Sequence, residues 1–312
     1  MIYTVTLNPA LDYWMVSEEL RAGDVNRVSA GGFSFGGKGL NVSAVLHKLG
    51  MPSVAWGIAA GWTGEALLQY AEVAGICVDF VRLRTPGSLT RVNVKLRGVE
   101  TTECNAPGCP VSSKAWAAFR SRLWPLESGD VVVLSGSLPP DMPDRAYADL
   151  TRELKEKGVR VVVDASGEAL REAVAAHPFL VKPNRAELEG FAGRPLHTDT
   201  DVLDAARGMQ EAGAERVLVS LGAGGAVLLD ADGAVYRAPA LQGMALQTVG
   251  AGDALLAGFL CGYTEQGGDV THGLRLGTAA AAATVFYGSE ATGDEMRRLY
   301  AENEIPVERV DG

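Results

Sequence analysis

Clustered metal ligands and paired cysteines are missing from the 312-residue sequence. Its four cysteines, at positions 77, 104, 109 and 261, form no CxxC pair and have no histidine at metal-ligand spacing. Its four histidines, at positions 47, 177, 197 and 272, form no HExxH motif. Isolated cysteines of this kind are usually small, reduced core residues, so the sequence predicts neither a disulfide framework nor a zinc site.

Long apolar runs and an excess of positive charge are also missing. The longest run of small apolar residues, Thr278 to Phe286, is far short of a membrane-spanning helix, and the start MIYTVTLNPALD lacks the pattern of a signal peptide. The formal net charge of -10 disfavours nucleic acid and anionic membranes as partners. We therefore expect a cytoplasmic protein, in which an anionic small substrate would need a local basic pocket.

Short apolar runs alternate with amphipathic segments along most of the chain, as buried parallel strands and their crossover helices do. The strand candidates are Asp130 to Gly136, Val159 to Ala165, Phe179 to Lys182 and Arg216 to Leu221. The helix candidates are Asp144 to Lys157, Gly167 to Ala176 and Thr200 to Ala212. This alternation predicts a single α/β domain over residues 1–312, with a doubly wound, mostly parallel sheet and helices on both faces.

Two segments break this alternation. Tyr13 to Phe35 and Leu89 to Cys104 contain stretches such as TRVNVKLRG, in which apolar and polar residues alternate with a period of two. That period is typical of half-exposed antiparallel strands. The sequence thus predicts a small antiparallel β lid over roughly residues 11–36 and 88–106, whose exposed face would also join two copies into a homodimer.

The stretch Thr248 to Leu260, TVGAGDALLAGFL, has the pattern of a helix that begins beside a bound anion. Small residues precede an acid and an apolar helix, so backbone N–H groups at the helix start would lack partners and attract negative charge. Asp253 has two interpretations here. It is either an ordinary helix cap or a general base beside an anion hole, the arrangement that phosphoryl transfer requires.

The stretch Gly32 to Asn41, GFSFGGKGLN, almost matches the phosphate-binding P-loop. Gly39 stands where a Ser or Thr hydroxyl should hold magnesium. The residues alone leave two alternatives, because this is either a damaged nucleotide loop or a loop in which Lys38 and its glycines bind something other than ATP.

These two stretches resemble the signatures of the ribokinase-like (PfkB) carbohydrate kinases. TVGAGDALLAGF is similar to the C-terminal signature and GGKGLNVSAVLHKLG to the N-terminal one, in the expected order. The resemblance implies a ribokinase-like fold and a catalytic group formed by Gly250, Ala251, Gly252 and Asp253. It also implies that the second loop lies on the sugar side of the cleft, with three polar contacts from Gly36, Gly37 and Asn41.

Five shorter stretches resemble the branch of 1-phosphofructokinase and tagatose-6-phosphate kinase: TLNPALD, TRVNVKL, NAPG, LSGSLPP and KPNRAEL. In that branch the acceptor is already a phosphosugar. The resemblance implies ATP-dependent phosphorylation of a ketohexose monophosphate, with fructose 1-phosphate as the expected acceptor and tagatose 6-phosphate as the alternative. A non-catalytic sugar-phosphate sensor on the same fold is a further alternative, which the intact acids Asp253 and Glu187 disfavour.

The resemblance also implies a set of ligand-binding side chains. The acceptor site would consist of one carboxylate, three cations and two neutral residues: Asp12; Lys38, Arg91 and Arg27; Asn105 and Ser137. The cations would bind the acceptor's phosphate through charge-assisted contacts, Arg27 by reaching across a dimer.

The nucleotide side is implied to use Lys182, Asn184, Ser220, Gly222 and Gly225, although the stretch SLGAGGA is also typical of a tight hairpin. Two acids, Glu187 and Asp164, would position Mg²⁺ largely through water, or else act as a helix cap and a solvated acid. The expected cofactors are ATP and Mg²⁺, with a monovalent cation as a third candidate.

Overall fold

Strands and helices alternate through most of the chain, of which the computed structural model describes residues 1–17, 21, 23–98 and 101–310. The strands β1 to β14 are Ile2–Thr6, Ala10–Val16, Ala30–Gly36, Ser53–Ala60, Val78–Leu83, Arg91–Arg97, Thr101–Cys104, Val131–Ser135, Arg160–Asp164, Leu180–Val181, Val217–Ser220, Ala226–Leu229, Val235–Ala238 and Glu308–Val310. The α-helices α1 to α10 are Lys38–Lys48, Gly61–Val73, Ser113–Arg120, Ala146–Glu156, Gly167–Val174, Arg185–Ala192, Asp199–Glu211, Ala251–Glu265, Val270–Tyr287 and Gly293–Glu302. The four predicted strands are confirmed as β8 to β11, and the three predicted helices as α4, α5 and α7.

The main sheet has ten strands in the order β14-β13-β12-β11-β10-β9-β8-β1-β4-β5. All pairings from β11 to β5 are parallel, whereas the edge from β11 to β14 is antiparallel. Strands such as β8, with the sequence VVVLS, are apolar throughout because both faces of the sheet are covered. The prediction of a mostly parallel sheet is confirmed.

Helices cover both faces of this sheet. Alternate residues of β8 enter different cores, since Val132 and Leu134 pack under α3 to α7 whereas Val131 and Val133 pack under α1, α8, α9 and α10. Helix α2 covers β4 on the second face. No helix within the described residues is long and apolar enough to span a membrane.

Helices α8 and α9 approach each other so closely that backbone meets backbone. A Cβ atom at Gly258 would lie 2.7 Å from the carbonyl oxygen of Leu276 and 2.8 Å from the Cα of Gly277. A glycine inside a helix costs about 1 kcal/mol relative to alanine, and this contact explains why one is present. The start of α8 is thereby held firmly against the body of the fold.

A second, smaller sheet has the order β3-β2-β6-β7 and corresponds to the predicted lid. Its outer pairs, β2 with β3 and β6 with β7, are antiparallel as predicted, whereas the central pair of β2 and β6 is parallel. The parallel pair is possible because the chain between these strands does not form a hairpin. It passes through β3, α1, β4, α2 and β5, a crossover long enough to bring β6 back in the direction of β2.

Candidate active site

A cleft of about 1100 Å³ lies where the lid meets the carboxyl ends of the parallel strands. It is large enough for two small ligands, and ligands of open α/β sheets bind at this edge. Its lining includes these predicted site residues: Asp12, Gly37, Lys38, Asn41, Arg91, Asn105, Ser137, Lys182, Asn184, Glu187, Ser220, Gly222, Gly225, Gly250, Ala251, Gly252 and Asp253. Gly36 and Asp164 lie directly behind this lining, where they contact Asp12 and Lys38 respectively.

The start of α8 offers unpaired backbone donors to the cleft. Gly250, just before the helix, has a φ of +85°, a left-handed conformation that glycine adopts without a steric penalty. The N–H of Ala251 donates to Thr248 at 3.3 Å, but the N–H groups of Gly252 and Asp253 have no partner in the described part of the chain. Because the helix dipole adds positive potential, this helix start can hold an anion.

Asp253 is buried in the first turn of α8 and is hydrogen-bonded to Asn41 in the first turn of α1. The Asn41 Nδ2 donates to Asp253 Oδ2 at 2.8 Å, while Asp253 Oδ1 has no partner among the described residues. Asn41, which we predicted to bind a sugar hydroxyl, thus also holds the candidate base. One carboxylate oxygen is fixed and the other is left for a ligand.

The pKa of Asp253 is raised on balance to about 6, chiefly by burial and then by repulsion from Asp164. The charge of Lys182, the Asn41 hydrogen bond and the charge of Lys38 act in the opposite direction. A carboxylate with this pKa is ionised at neutral pH yet more basic than an ordinary aspartate, as a general base should be.

Two lysines and two acids form an ion-pair cluster behind this base. The Lys38 Nζ lies 2.7 Å from Asp164 Oδ1 and 3.2 Å from Glu187 Oε1, and the Lys182 Nζ lies 3.1 Å from Asp164 Oδ2. Burial alone would lower the pKa of Lys38, but Asp164 and Glu187 more than reverse this and raise it, so Lys38 stays charged. Lys38, which we predicted to bind the acceptor's phosphate together with Arg91, therefore contacts the two acids predicted for the metal.

Asn184 and Glu187 form a capping box at the start of α6. The Glu187 N–H donates to Asn184 Oδ1 at 2.8 Å, and the Asn184 N–H donates to Glu187 Oε2 at 2.9 Å. The second oxygen of Glu187 is the one that contacts Lys38. Glu187 can therefore be both a helix cap, through Oε2, and a site residue, through Oε1.

Strand β6 of the lid presents three polar side chains to the cleft. Arg91, Asn93 and Lys95 are spaced two residues apart and so lie on one face of the strand. Asn93 stands opposite Asp12 of β2 and donates to its Oδ1 at 2.9 Å, while Lys95 Nζ lies 2.6 Å from Oδ2. Asn93 and Lys95 were not among the predicted site residues, although the alternation in TRVNVKL puts them on the same face as Arg91.

Arg91 is only partly paired inside this wall. Its Nη1 donates to the carbonyl oxygen of Ala106 at 3.1 Å, whereas its buried Nε has no partner within the described residues. A buried guanidinium N–H without an acceptor is unusual and is well suited to an incoming anion.

The remaining predicted residues differ in their surroundings. Ser137 accepts a hydrogen bond from Asn8 Nδ2 at 3.2 Å, and Asn105 is exposed at the rim of the cleft. Arg27 lies exposed in the loop between β2 and β3, outside the cleft lining of its own chain.

The glycine-rich stretch after β11 forms the tight turn of the β11-β12 hairpin, in which the Leu221 N–H donates to the carbonyl oxygen of Gly225 at 2.8 Å. The same turn lines the cleft, beside apolar side chains that sequence patterns did not reveal: Leu241, Val285 and Phe286. This end of the cleft thus combines backbone polar groups with apolar surface, as a nucleotide site does.

The model of the family described as pfkB family carbohydrate kinase matches residues 6–296. The chain belongs to this family. This pfkB kinase is 36% identical to the 1-phosphofructokinase of Bacillus subtilis over 305 residues, which are 98% of this chain and 99% of the relative. It is 32% identical to the D-tagatose-1-phosphate kinase of Bacillus licheniformis over 308 residues, again 98% and 99%.

Solved structures agree with this assignment. The crystal structure of phosphofructokinase-2 from Escherichia coli in complex with substrates and products superposes on this pfkB kinase with a TM-score of 0.88 at 31% identity, and the match covers 96% of this chain and 98% of the other. The predicted family and the ribokinase-like fold are confirmed.

The pKa of Asp253 predicts how activity depends on pH. We expect kcat/KM of this pfkB kinase to fall as the pH drops below about 6, because protonation of Asp253 removes the base. Asn41→Ala should move this acidic limb to higher pH, since Asn41 donates to the ionised form. Rates of ADP release across the pH range check both statements, and an unshifted limb in the variant would show that Asn41 does not tune the base.

Proposed function

We propose that this pfkB kinase transfers the γ-phosphoryl group of ATP to the free primary hydroxyl of fructose 1-phosphate, giving fructose 1,6-bisphosphate. One observation carries the proposal. A buried base at a helix start with free N–H groups, Asp253, shares a cleft with a carboxylate and a partly unpaired arginine from the lid, Asp12 and Arg91. These are the parts needed to activate a hydroxyl, stabilise a transferring phosphoryl group and hold a phosphorylated sugar.

In the proposed reaction, Asp253 Oδ1 accepts the proton of the primary hydroxyl as that oxygen bonds to the γ-phosphorus and the bond to ADP breaks. The N–H groups of Gly252 and Asp253 stabilise charge on the transferring group. Lys38, which lies close enough to Asp253 to lower its pKa, adds a positive charge on the same side. Closure of the lid would exclude water, which otherwise competes as an acceptor.

The acids around Lys38 fit a magnesium site. Asp164 and Glu187 both contact the Lys38 Nζ, so their carboxylates converge on one point. Within the described residues no third acid, histidine or cysteine completes a protein cage. Mg²⁺ in kinases is usually held by one or two carboxylates together with substrate phosphates and water, so Asp164 and Glu187 would hold it largely through water, and it would neutralise charge on the ATP phosphates.

The acceptor's phosphate is assigned to Arg91. Lys38 was predicted to share this role, but its contacts with Asp164 and Glu187 support a role beside the residues proposed for the nucleotide. Arg91→Ala should raise KM for fructose 1-phosphate by about 10- to 100-fold, the value of one or two charge-assisted hydrogen bonds, with a smaller effect on kcat. Steady-state kinetics with each substrate varied in turn measure this rise in KM. A change confined to KM for ATP would show that Arg91 binds the nucleotide and not the acceptor's phosphate.

The proposed reaction is tested by ADP release from Mg²⁺-ATP with six separate acceptors: the 1-phosphates and 6-phosphates of fructose and tagatose, free fructose, and water alone. Preference for fructose 1-phosphate is the expected result. Preference for a tagatose phosphate would correct the acceptor but not the reaction. Binding of the phosphosugars without ADP release, by folded protein, would favour a sugar-phosphate sensor.

We also propose that two copies associate through the lid, which carries Val28 and Phe33, both 41% exposed. Arg27 would then be available to the cleft of the other copy. Size-exclusion chromatography with light scattering measures the mass of the protein in solution. Loss of the dimer in Phe33→Ser with an unchanged fold would support this interface. A monovalent cation and a cytoplasmic location stay predictions.

A further inference from the structure

Both oxygens of the Asp12 carboxylate are held by a single neighbouring strand. Asn93 donates to Oδ1 at 2.9 Å and Lys95 approaches Oδ2 at 2.6 Å, both from β6. Asp12 itself is only 4% exposed, and its carboxyl group fills the space that a side chain at Gly36 would need, 2.5 Å from a Cβ placed there. The plane of this carboxylate is therefore set by the pairing of β2 with β6.

The contacts leave a defined capacity for a ligand. An ionised carboxylate has about four acceptor positions, two on each oxygen, so about one position remains on each oxygen of Asp12. Two acceptor positions on one fixed carboxylate match two adjacent hydroxyl groups that both donate. A vicinal diol on the sugar ring is therefore the group that this carboxylate recognises best.

Lys95 makes this arrangement possible at a buried position. A carboxylate with so little exposure is costly unless a cation compensates it, and removing the partner of such a pair leaves the charge uncompensated. Asn93 alone would hold one oxygen and leave the carboxylate free to rotate away from it. Lys95, whose side chain is 19% exposed in the cleft, supplies both the charge and the second restraint.

We infer that Lys95 is a positioning residue, which orients Asp12 so that it distinguishes the configuration of two adjacent ring hydroxyls on the acceptor. This inference rests on the proposed ketohexose-phosphate kinase activity. Fructose 1-phosphate and tagatose 1-phosphate differ only at C4, whose hydroxyl belongs to such a pair. Loss of Lys95 therefore weakens acceptor binding and reduces discrimination between these two epimers.

The test compares Lys95→Met with the wild type in steady-state kinetics on both 1-phosphates. KM for the preferred epimer should rise about tenfold or more with little change in kcat, while KM for ATP stays the same. The ratio of kcat/KM between the epimers should fall at least about fivefold towards unity. In a double-mutant cycle, adding Asp12→Asn to Lys95→Met should cost far less than Asp12→Asn alone, because the two residues act as one unit.

Two further variants serve as controls for Lys95→Met. Arg97→Met removes a cation from the same strand, two residues further along, where it lies over the Trp14 ring at 5.3 Å outside the cleft lining, and it should change neither KM nor the epimer ratio. Lys95→Gln keeps a donor for Asp12 on a side chain one atom shorter and should restore part of the discrimination, which also covers the case in which Lys95→Met does not fold.

The outcomes separate the two proposals. A wild-type enzyme that phosphorylates neither epimer refutes the proposed function, and this inference with it. An active wild type whose epimer ratio is unchanged in both Lys95 variants refutes only the inference, even if KM rises equally for both sugars, because an equal rise is what a purely structural role gives.

Discussion

Asp253→Asn should lower kcat by about 100-fold or more while ATP binding stays nearly unchanged. Asparagine keeps the shape of the side chain, and its carbonyl oxygen can still accept the hydrogen bond from Asn41. It has no carboxylate oxygen, however, so it cannot accept the proton of the hydroxyl group. The free N–H groups at the start of α8 remain in place. The measurement is kcat from ADP release, together with calorimetric titration of ATP into the variant.

Asp294→Asn is the matched control for this substitution. Asp294 also lies in the first turn of a helix, α10, but it is exposed and outside the cleft lining. It should leave kcat unchanged and affect stability only by the small helix-dipole contribution of about 0.5 kcal/mol. If kcat of Asp253→Asn equals kcat of this control, Asp253 is not the general base.

Lys182→Met should destabilise the fold by about 3 kcal/mol, the lower end of the range for breaking a buried ion pair, because Asp164 keeps Lys38 as a second partner. Asp164 and Lys182 are 0% and 3% exposed, so little water would compensate the remaining charge. The same substitution should raise the pKa of Asp253, since Lys182 lowers it, and so move the acidic limb of the pH profile to higher pH. Urea denaturation and the pH profile measure the two effects.

Lys155→Met provides the comparison for the stability measurement. Lys155 pairs with Glu215 at 3.7 Å and donates to the carbonyl oxygen of His177 at 2.5 Å, on the surface, where the Lys155 and Glu215 side chains are well exposed. Exposed pairs of this kind contribute about 0 to 1 kcal/mol, so the variant should unfold at nearly the wild-type urea concentration. A loss in Lys182→Met no larger than in Lys155→Met would show that the cluster around Asp164 is not a stabilising core of the site.

The parts of the fold that could be predicted from sequence are those with local causes. Strands such as β8 and β9 are apolar because both faces are buried. The start of α8 is recognisable in the sequence from Gly250 and from Asp253 in the first turn. The parallel pairing of β2 with β6 could not be predicted in this way, because strand direction depends on the long connection between the two strands. Alternation alone is the same in either direction.

In the candidate site, too, the sequence predicts features with local causes but not those that depend on distant parts of the chain. Sequence motifs brought Asp253, Asp12 and Arg91 to attention, and the structure places them in one cleft. The partners of these residues were not predictable, since Asn41 and Asp253 are separated by 212 positions along the chain. A motif identifies which side chains are available for chemistry, whereas their hydrogen-bonding partners are decided by which strand ends and helix starts become neighbours.

The close contact between α8 and α9 at Gly258 has a consequence for how this enzyme can diversify. It ties α8, whose first turn carries Asp253, to α9, while Asp12, Arg91 and Lys95 all belong to the lid. In the proposed mechanism, chemistry and acceptor recognition are therefore carried by separate structural modules. Exchanging the lid strands between family members should transplant acceptor preference while leaving the phosphoryl-transfer machinery intact, and evolution could change the sugar by the same route.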